Sequence, residues 1–172
     1  MLKIVGSILI LCCSAGLGMA GSQDLKKHCM ELRILKQAVY MLRGEIKYSK
    51  APLPEAFGAL AARVASPFGE FFLNLERELG LQDGRSLSQL WREGVKQELR
   101  TTCLSREEKE RLQQLGEGLG YLDLEMQLST IQLYLEQLDG DIARAQEEIR
   151  TKQKLYRSLG VAGGIFLVIL LV

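Results

Sequence analysis

Histidine is nearly absent from this chain: His28 is the single one in 172 residues. A zinc centre needs about four clustered nitrogen or sulfur ligands, and the four cysteines do not supply them. Cys12 and Cys13 are neighbours in an apolar stretch, Cys29 and Cys103 stand alone, and no Cys-x-x-Cys spacing occurs. That pattern gives no disulfide framework and fits buried or membrane thiols in a reducing compartment. With one histidine, no local Ser-His or Cys-His pairing suggests an activated nucleophile. The run GEGLGY at 116–121 is rich in glycine, but no strand-like run precedes it and no Gly-Lys-Ser/Thr follows. It reads as a tight turn between two helices, not a phosphate cradle. Glu107/Glu108 and Glu147/Glu148 read as solvated helix faces. No cofactor or metal is expected, and no enzymatic activity.

A net field is also lacking. Setting Lys3 aside, 21 basic residues face 21 acidic ones, all within 24–157. A neutral segment has no electrostatic footprint for a polyphosphate, which sets nucleic acid aside.

Proline is scarce, with three in the chain, and valine and isoleucine are sparse. Leu, Glu, Gln, Lys, Arg and Ala dominate, a composition that favours helix. Leu32, Leu35, Val39, Leu42 and Ile46 step by three and four, one apolar stripe on a helix from about 24 to 47. Leu124, Leu128, Ile131, Leu135, Leu138, Ile142, Ala145 and Ile149 repeat the pattern on a longer helix from about 121 to 157. Between these two antiparallel stalks the ends of shorter helices are legible. Pro52 and Pro54 break the chain and Glu55 to Val64 resumes it. Ser66 caps a helix with Pro67 at its first position. Ser86 with Gln89 and Ser105 with Glu108 form capping boxes. Gly116, Gly118 and Gly120 close the fifth helix. The expected fold is all-α, a bundle of about six helices. Leu60, Phe68, Phe71, Phe72, Leu75, Leu79, Leu87, Leu90 and Trp91 are its expected core, and a segment of about 134 residues is long enough to bury one.

Charge is missing altogether from two places. Residues 4–23 and 158–172 hold no charged side chain. As a helix, 4–23 reaches about 30 Å, the thickness of the hydrocarbon core, while 158–172 reaches only about 22 Å. Lys26, Lys27, Arg33 and Lys36 follow the first segment, and Arg150, Lys152, Lys154 and Arg157 precede the second. Positive flanks prefer the cytoplasmic side. The expected organisation is a membrane segment at 1–23, a cytoplasmic helical bundle at 24–157 and a short membrane segment at 158–172. Tyr156 and Arg157 suit the headgroup level. Ser14/Gly18 and Gly160/Gly164 are small-residue pairs four apart that would let the two membrane helices pack closely. A rival reading stays open: Gly18-Met19-Ala20 also fits the cleavage site of an exported protein. So does a homodimeric coiled coil, because a three-four stripe can pair between chains as well as within one.

Three blocks carry a resemblance. LKQAVYMLRGEIKYSKAPLPEAF at 35–57, LGYLDLEMQ at 119–127, and KLYRSLGV at 154–161 before an apolar tail resemble the stage III sporulation protein AB family, in order and spacing. The resemblance implies a fold like the cytoplasmic helical domain of the type II secretion F-type platform protein. It implies a place in the mother-cell membrane around the forespore, within a channel or secretion-like complex. The partners it implies are membrane lipid, a secretion-type ATPase and neighbouring channel subunits. Glu45, Pro52, Leu53, Pro54, Glu55, Asp123, Gln127, Tyr156, Arg157 and Gly160 match the family's stretches. Of these, Glu45, Pro52, Pro54, Glu55, Asp123 and Gln127 are the candidate partner contacts, and no catalytic role is implied for any. One departure is LGYLD where family members often read LGLSD; Asp123 remains available as a helix cap.

Overall fold

The computed structural model describes the backbone of residues 2–49, 52–81, 83–120 and 123–171. It describes the side chains of residues 23–49, 52–81, 83–120, 123–155 and 158. Among the described residues six α-helices follow one another: α1 Leu2–Gly44, α2 Leu53–Ala61, α3 Phe68–Gly80, α4 Leu87–Gln97, α5 Arg106–Leu119 and α6 Leu124–Leu171. A π-turn, Glu45–Ser49, continues α1, and a 3-10 turn, Glu98–Thr101, continues α4. No strand occurs among the described residues. The all-α expectation holds.

The helix starts follow from local chemistry. Pro52 is extended, with ψ 145°, and precedes α2, whose second residue is Pro54. Neither proline removes a hydrogen bond there, because the first helical N–H groups have no partner within the helix. Both expected capping boxes form. The Gln89 N–H donates to Ser86 Oγ at 3.3 Å while the Ser86 N–H donates to Gln89 Oε1 at 3.0 Å. At α5 the Glu108 N–H donates to Ser105 Oγ at 3.2 Å and the Ser105 N–H to Glu108 Oε2 at 2.7 Å. Ser66 departs from its expected role. Pro67 is the residue at the cap of α3, and the Ser66 hydroxyl instead donates to Glu70 Oε1 at 2.8 Å.

The chain forms two compact units, residues 1–29 with 143–172, and residues 30–142. In the larger unit the α1 stripe is consumed by the core: Leu32, Leu35, Val39, Leu42 and Ile46 are buried, and so is Ala38. On α6, Ile131, Leu135, Leu138 and Ile142 are buried as expected, with Tyr134 beside them. Leu124 is exposed, since it lies in the first turn of α6. α2 packs on α3, α3 on α4, and α4 on α5. At the centre, Trp91 is fully buried between Phe57 and Phe71, with ring centroids 5.9 Å and 5.0 Å away. Its indole N–H donates to the Leu112 carbonyl oxygen at 2.8 Å, which ties α4 to α5. Leu79 is only half-buried. Lys36 Nζ on α1 donates to Asp139 Oδ1 on α6 at 2.5 Å. In the smaller unit Cys29 and Ala145 are buried, and Lys152 pairs with Glu148 at 3.1 Å along the helix.

Ser14, Gly18, Gly160 and Gly164, expected to pack the membrane segments, and Tyr156 and Arg157, expected at the interface, lie outside the residues whose side chains are described. Among the described residues no helix is long and apolar enough to cross a membrane.

Candidate functional site

The structure sorts the six candidate partner contacts into two groups. The first surrounds the end of α1. A π-turn widens the helix by one residue per turn, and such turns recur at functional sites. Glu45 opens this one. Its Oε2 accepts from the Ser49 hydroxyl at 2.5 Å, and its Oε1 faces Arg63 Nη1 at 3.5 Å. Glu45 therefore holds the turn together and links it to the segment after α2. Pro52 and Glu55 are exposed and Pro54 is half-buried at the start of α2, which touches the π-turn. Tyr48, 77% exposed, stands on the turn with the Lys47 ammonium 5.2 Å from its ring centroid. Arg43, one turn back, has a buried Nε without a hydrogen-bond partner among the described residues.

The second group belongs to the turn from α5 to α6. Asp123 Oδ1 accepts from the Met126 N–H at 2.9 Å, the cap foreseen for it. Gln127 reaches back from the first turn of α6, and its Nε2 donates to the Leu119 carbonyl oxygen at 2.8 Å. Two residues thus satisfy both ends of the turn, a donor at the start of one helix and a carbonyl at the end of the other. Replacing Asp123 with alanine should lower stability by about 1 kcal/mol. Chemical denaturation would read this as a shifted midpoint at an unchanged slope.

Sequence reading missed a buried polar cluster between α5 and α6. Arg111 Nη2 donates to Asp141 Oδ2 at 2.6 Å, with Asp141 only 5% exposed. Glu108 is buried too, where a solvated face was expected. It is the cap partner of Ser105, and acidic residues near the start of a helix also complement its dipole. Tyr134 completes the cluster, with a buried hydroxyl that has no hydrogen-bond partner among the described residues. Burial, the largest influence, pushes the Tyr134 hydroxyl pKa well above its ordinary value; Arg111 opposes this, and Asp141 and Glu108 reinforce it. The one signal in the sequence was spacing, since Tyr134 falls three residues after Ile131 and four before Leu138.

A third buried carboxylate lies on α1. Glu31 Oε2 accepts from the Cys103 N–H at 2.6 Å, which pins the loop before α5. No group of three or more metal-ligating side chains occurs among the described residues.

Three comparisons bear on this architecture. The profile of the family described as stage III sporulation protein AB matches residues 3–172. Stage III sporulation protein AB of Bacillus subtilis (strain 168) is 29% identical over 171 residues, 99% of either chain. A solved structure of a stage III sporulation protein AB superposes with a TM-score of 0.67 at 29% identity, covering 72% of this chain and 97% of its own.

Proposed function

Because the chain belongs to the stage III sporulation protein AB family, we propose that it is a non-enzymatic membrane platform of a channel or secretion-like complex between mother cell and forespore. Its uncharged ends sit in the mother-cell membrane around the forespore. Its helical bundle lies on the cytoplasmic side, where it docks a secretion-type ATPase and neighbouring channel subunits. The observation that carries this reading is the extent of the family match, which begins at residue 3 and ends at residue 172 and so includes both uncharged ends. The basic residues flanking those ends support the orientation, because positive charge is retained on the cytoplasmic side.

The ATPase contact falls at the end of α1 and the start of α2. There a π-turn, an exposed tyrosine and the Pro52–Glu55 start of α2 come together on adjoining elements. The structure selects the residue for the test. Glu45 is bonded into the turn, so reversing its charge would disturb folding and binding at once. Glu55 is exposed in the first turn of α2. Glu55→Lys should weaken capture of the ATPase about tenfold while Glu55→Gln has a smaller effect, with helical content by circular dichroism unchanged in both. Capture at the wild-type level by Glu55→Lys would remove this surface from the account.

The homodimeric coiled coil needs the three-four stripe at a surface. That stripe is spent on the core of one chain, with Leu32, Val39 and Leu42 fully buried. The exported alternative is separated by N-terminal sequencing of the mature chain: a start at Gly21 would mean cleavage and export.

A further inference from the structure

Within the unit 30–142, α1 and α6 each keep an exposed face after the core has taken its share. The two helices lie side by side, joined by the ion pair of Lys36 with Asp139 at 2.5 Å. They run antiparallel, because residues 1–29 of α1 and the part of α6 from 143 onward share the smaller unit. On α1, Met30, Arg33, Gln37, Tyr40 and Lys47 are exposed at helical spacing, Met30 by 63% and Tyr40 by 65%. On α6, Met126, Leu133, Glu136 and Gly140 are exposed at the same spacing, Met126 by 53% and Leu133 by 58%. At about 3.6 residues per turn, Lys36 and Asp139 each fall between the buried stripe and the exposed one of their helix. The two exposed stripes therefore flank that pair on one side of the unit, turned away from the core. Single exposed apolar side chains are ordinary, but a set spread over two adjoining helices marks an interaction surface.

Charge says what covers it. Between Met30 and Lys47, Glu31 is buried and Glu45 is paired with Arg63, so Arg33 and Lys47 set the sign of the α1 half. Between Leu124 and Ile142, α6 holds no basic residue, and Glu125 and Glu136 are exposed. One half of the surface is thus basic and the other acidic, which makes it complementary to itself. A twofold axis parallel to the helices sets α1 of one copy on α6 of the next, and α6 on α1, so basic meets acidic twice. An axis across the helices would set α1 on α1, like charge on like. The first axis leaves heights along the helices unchanged, so levels within one chain hold between copies. Counted from Lys36 and Asp139, Tyr40 is level with the turn that bears Leu133 and Glu136. Lys47 is level with the turn that bears Glu125.

We propose that this surface pairs with a second copy of the chain, α1 on α6, about a twofold axis parallel to the helices. Tyr40 packs on the partner's Leu133, and Lys47 faces the partner's Glu125. The contact uses the side of α1 opposite the stripe buried in the core, unlike a coiled coil built on that stripe. It agrees with the platform reading, since two copies standing in one membrane share an axis of this direction, but it does not depend on it. Two helix faces make a small interface, of the size at which complexes are transient, so both faces stay open to small reagents in the unpaired fraction.

The test uses the purified full-length chain in detergent micelles, with its four native cysteines replaced by serine. Two differently tagged pools are made, one Tyr40→Cys and one Leu133→Cys. Mixed and treated with a short bis-maleimide, they should give a dimer carrying both tags, while the Tyr40→Cys pool alone should give little. Adding Lys47→Glu to both pools should cut the yield of mixed dimer about fivefold, and adding Glu125→Lys as well should restore it. All four positions are exposed, and circular dichroism should show the same helical content in every variant. A mixed dimer no more abundant than the Tyr40→Cys dimer, or a charge exchange that restores nothing, would overturn the proposal. A chain that sediments as a monomer at every concentration would overturn it too and leave the surface to a different protein. No ATPase is present in these measurements, so they are independent of capture at Glu55.

Discussion

Trp91→Ala should cost this protein about 3–5 kcal/mol, the upper range for emptying an aromatic site in a core. The reason is the number of elements that meet at this one side chain. Trp91 is fully buried and lies among Phe57 of α2 and Phe71 and Phe72 of α3. Its indole N–H also serves the Leu112 carbonyl oxygen on α5. Truncation would leave a cavity bounded by three helices, and the surrounding rings relax into such space only in part. A domain of this size is stable by about 5–15 kcal/mol in all, so the loss is a large share of the total. A thermal melt would read it as a fall of roughly 6–20 °C at about 2–4 °C per kcal/mol. Trp91→Phe keeps most of the volume and gives up the hydrogen bond, and should lose much less. A variant Trp91→Ala that melts within a degree or two of the wild type would show that the aromatic cluster does not hold α2, α3 and α5 together.

Gly116→Ala is the second large effect, and its sign runs against helix propensity. Alanine in the interior of a helix is ordinarily favoured over glycine by about 1 kcal/mol. At position 116, however, a Cβ would stand 2.2 Å from Trp91 Cγ and 2.3 Å from Trp91 Cδ1. The indole is wedged among rings and cannot swing aside, so α5 must move away from α4. Overpacking of this kind costs about 1–3 kcal/mol, occasionally more. Gly140 is the control. It is exposed in α6, and a Cβ there would meet nothing within 4 Å. Gly140→Ala should therefore raise stability by up to about 1 kcal/mol while Gly116→Ala lowers it, both read from the denaturation midpoint. Two identical substitutions with opposite signs isolate the contact with Trp91 from any general preference of the helix. If both stabilise, α4 and α5 are not in the close approach described.

These two positions also mark where the sequence stops being legible. Helix starts were readable because their chemistry is local. Ser86 with Gln89, Ser105 with Glu108 and Asp123 with Met126 are bonds between residues three apart, and a string of letters contains that distance. The apolar stripe of α1 was readable for the same reason, since Leu32, Leu35, Val39, Leu42 and Ile46 need only the helical period to share a face. Glycine between helices usually marks a turn, and from sequence alone Gly116 fits that role. It lies instead inside α5, which runs on to Leu119, and the reason for glycine is a tryptophan 25 positions earlier in the chain. Acidic pairs on helices are usually solvated, yet Glu108 is buried beside Tyr134, a residue 26 positions later that local spacing does not reach. The π-turn at 45–49 left no signature either. Its bonds to Ser49 are local, but the link from Glu45 to Arg63 depends on how α2 returns. Candidate contacts at Pro52, Pro54, Glu55 and Gln127 came from resemblance, and spacing alone would not have singled them out.

The central claim is that lipid holds both ends of the chain and that the helices between them face the cytoplasm. Ser129 is exposed on α6 and far in sequence from either end, which makes it a suitable reporter. A Ser129→Cys variant in which the four native cysteines are replaced by serine should sediment with membranes after a carbonate wash. In intact cells it should react with a membrane-impermeant maleimide only once the membrane is permeabilised. Labelling of that cysteine before permeabilisation, or release of the chain by the carbonate wash, would contradict the account.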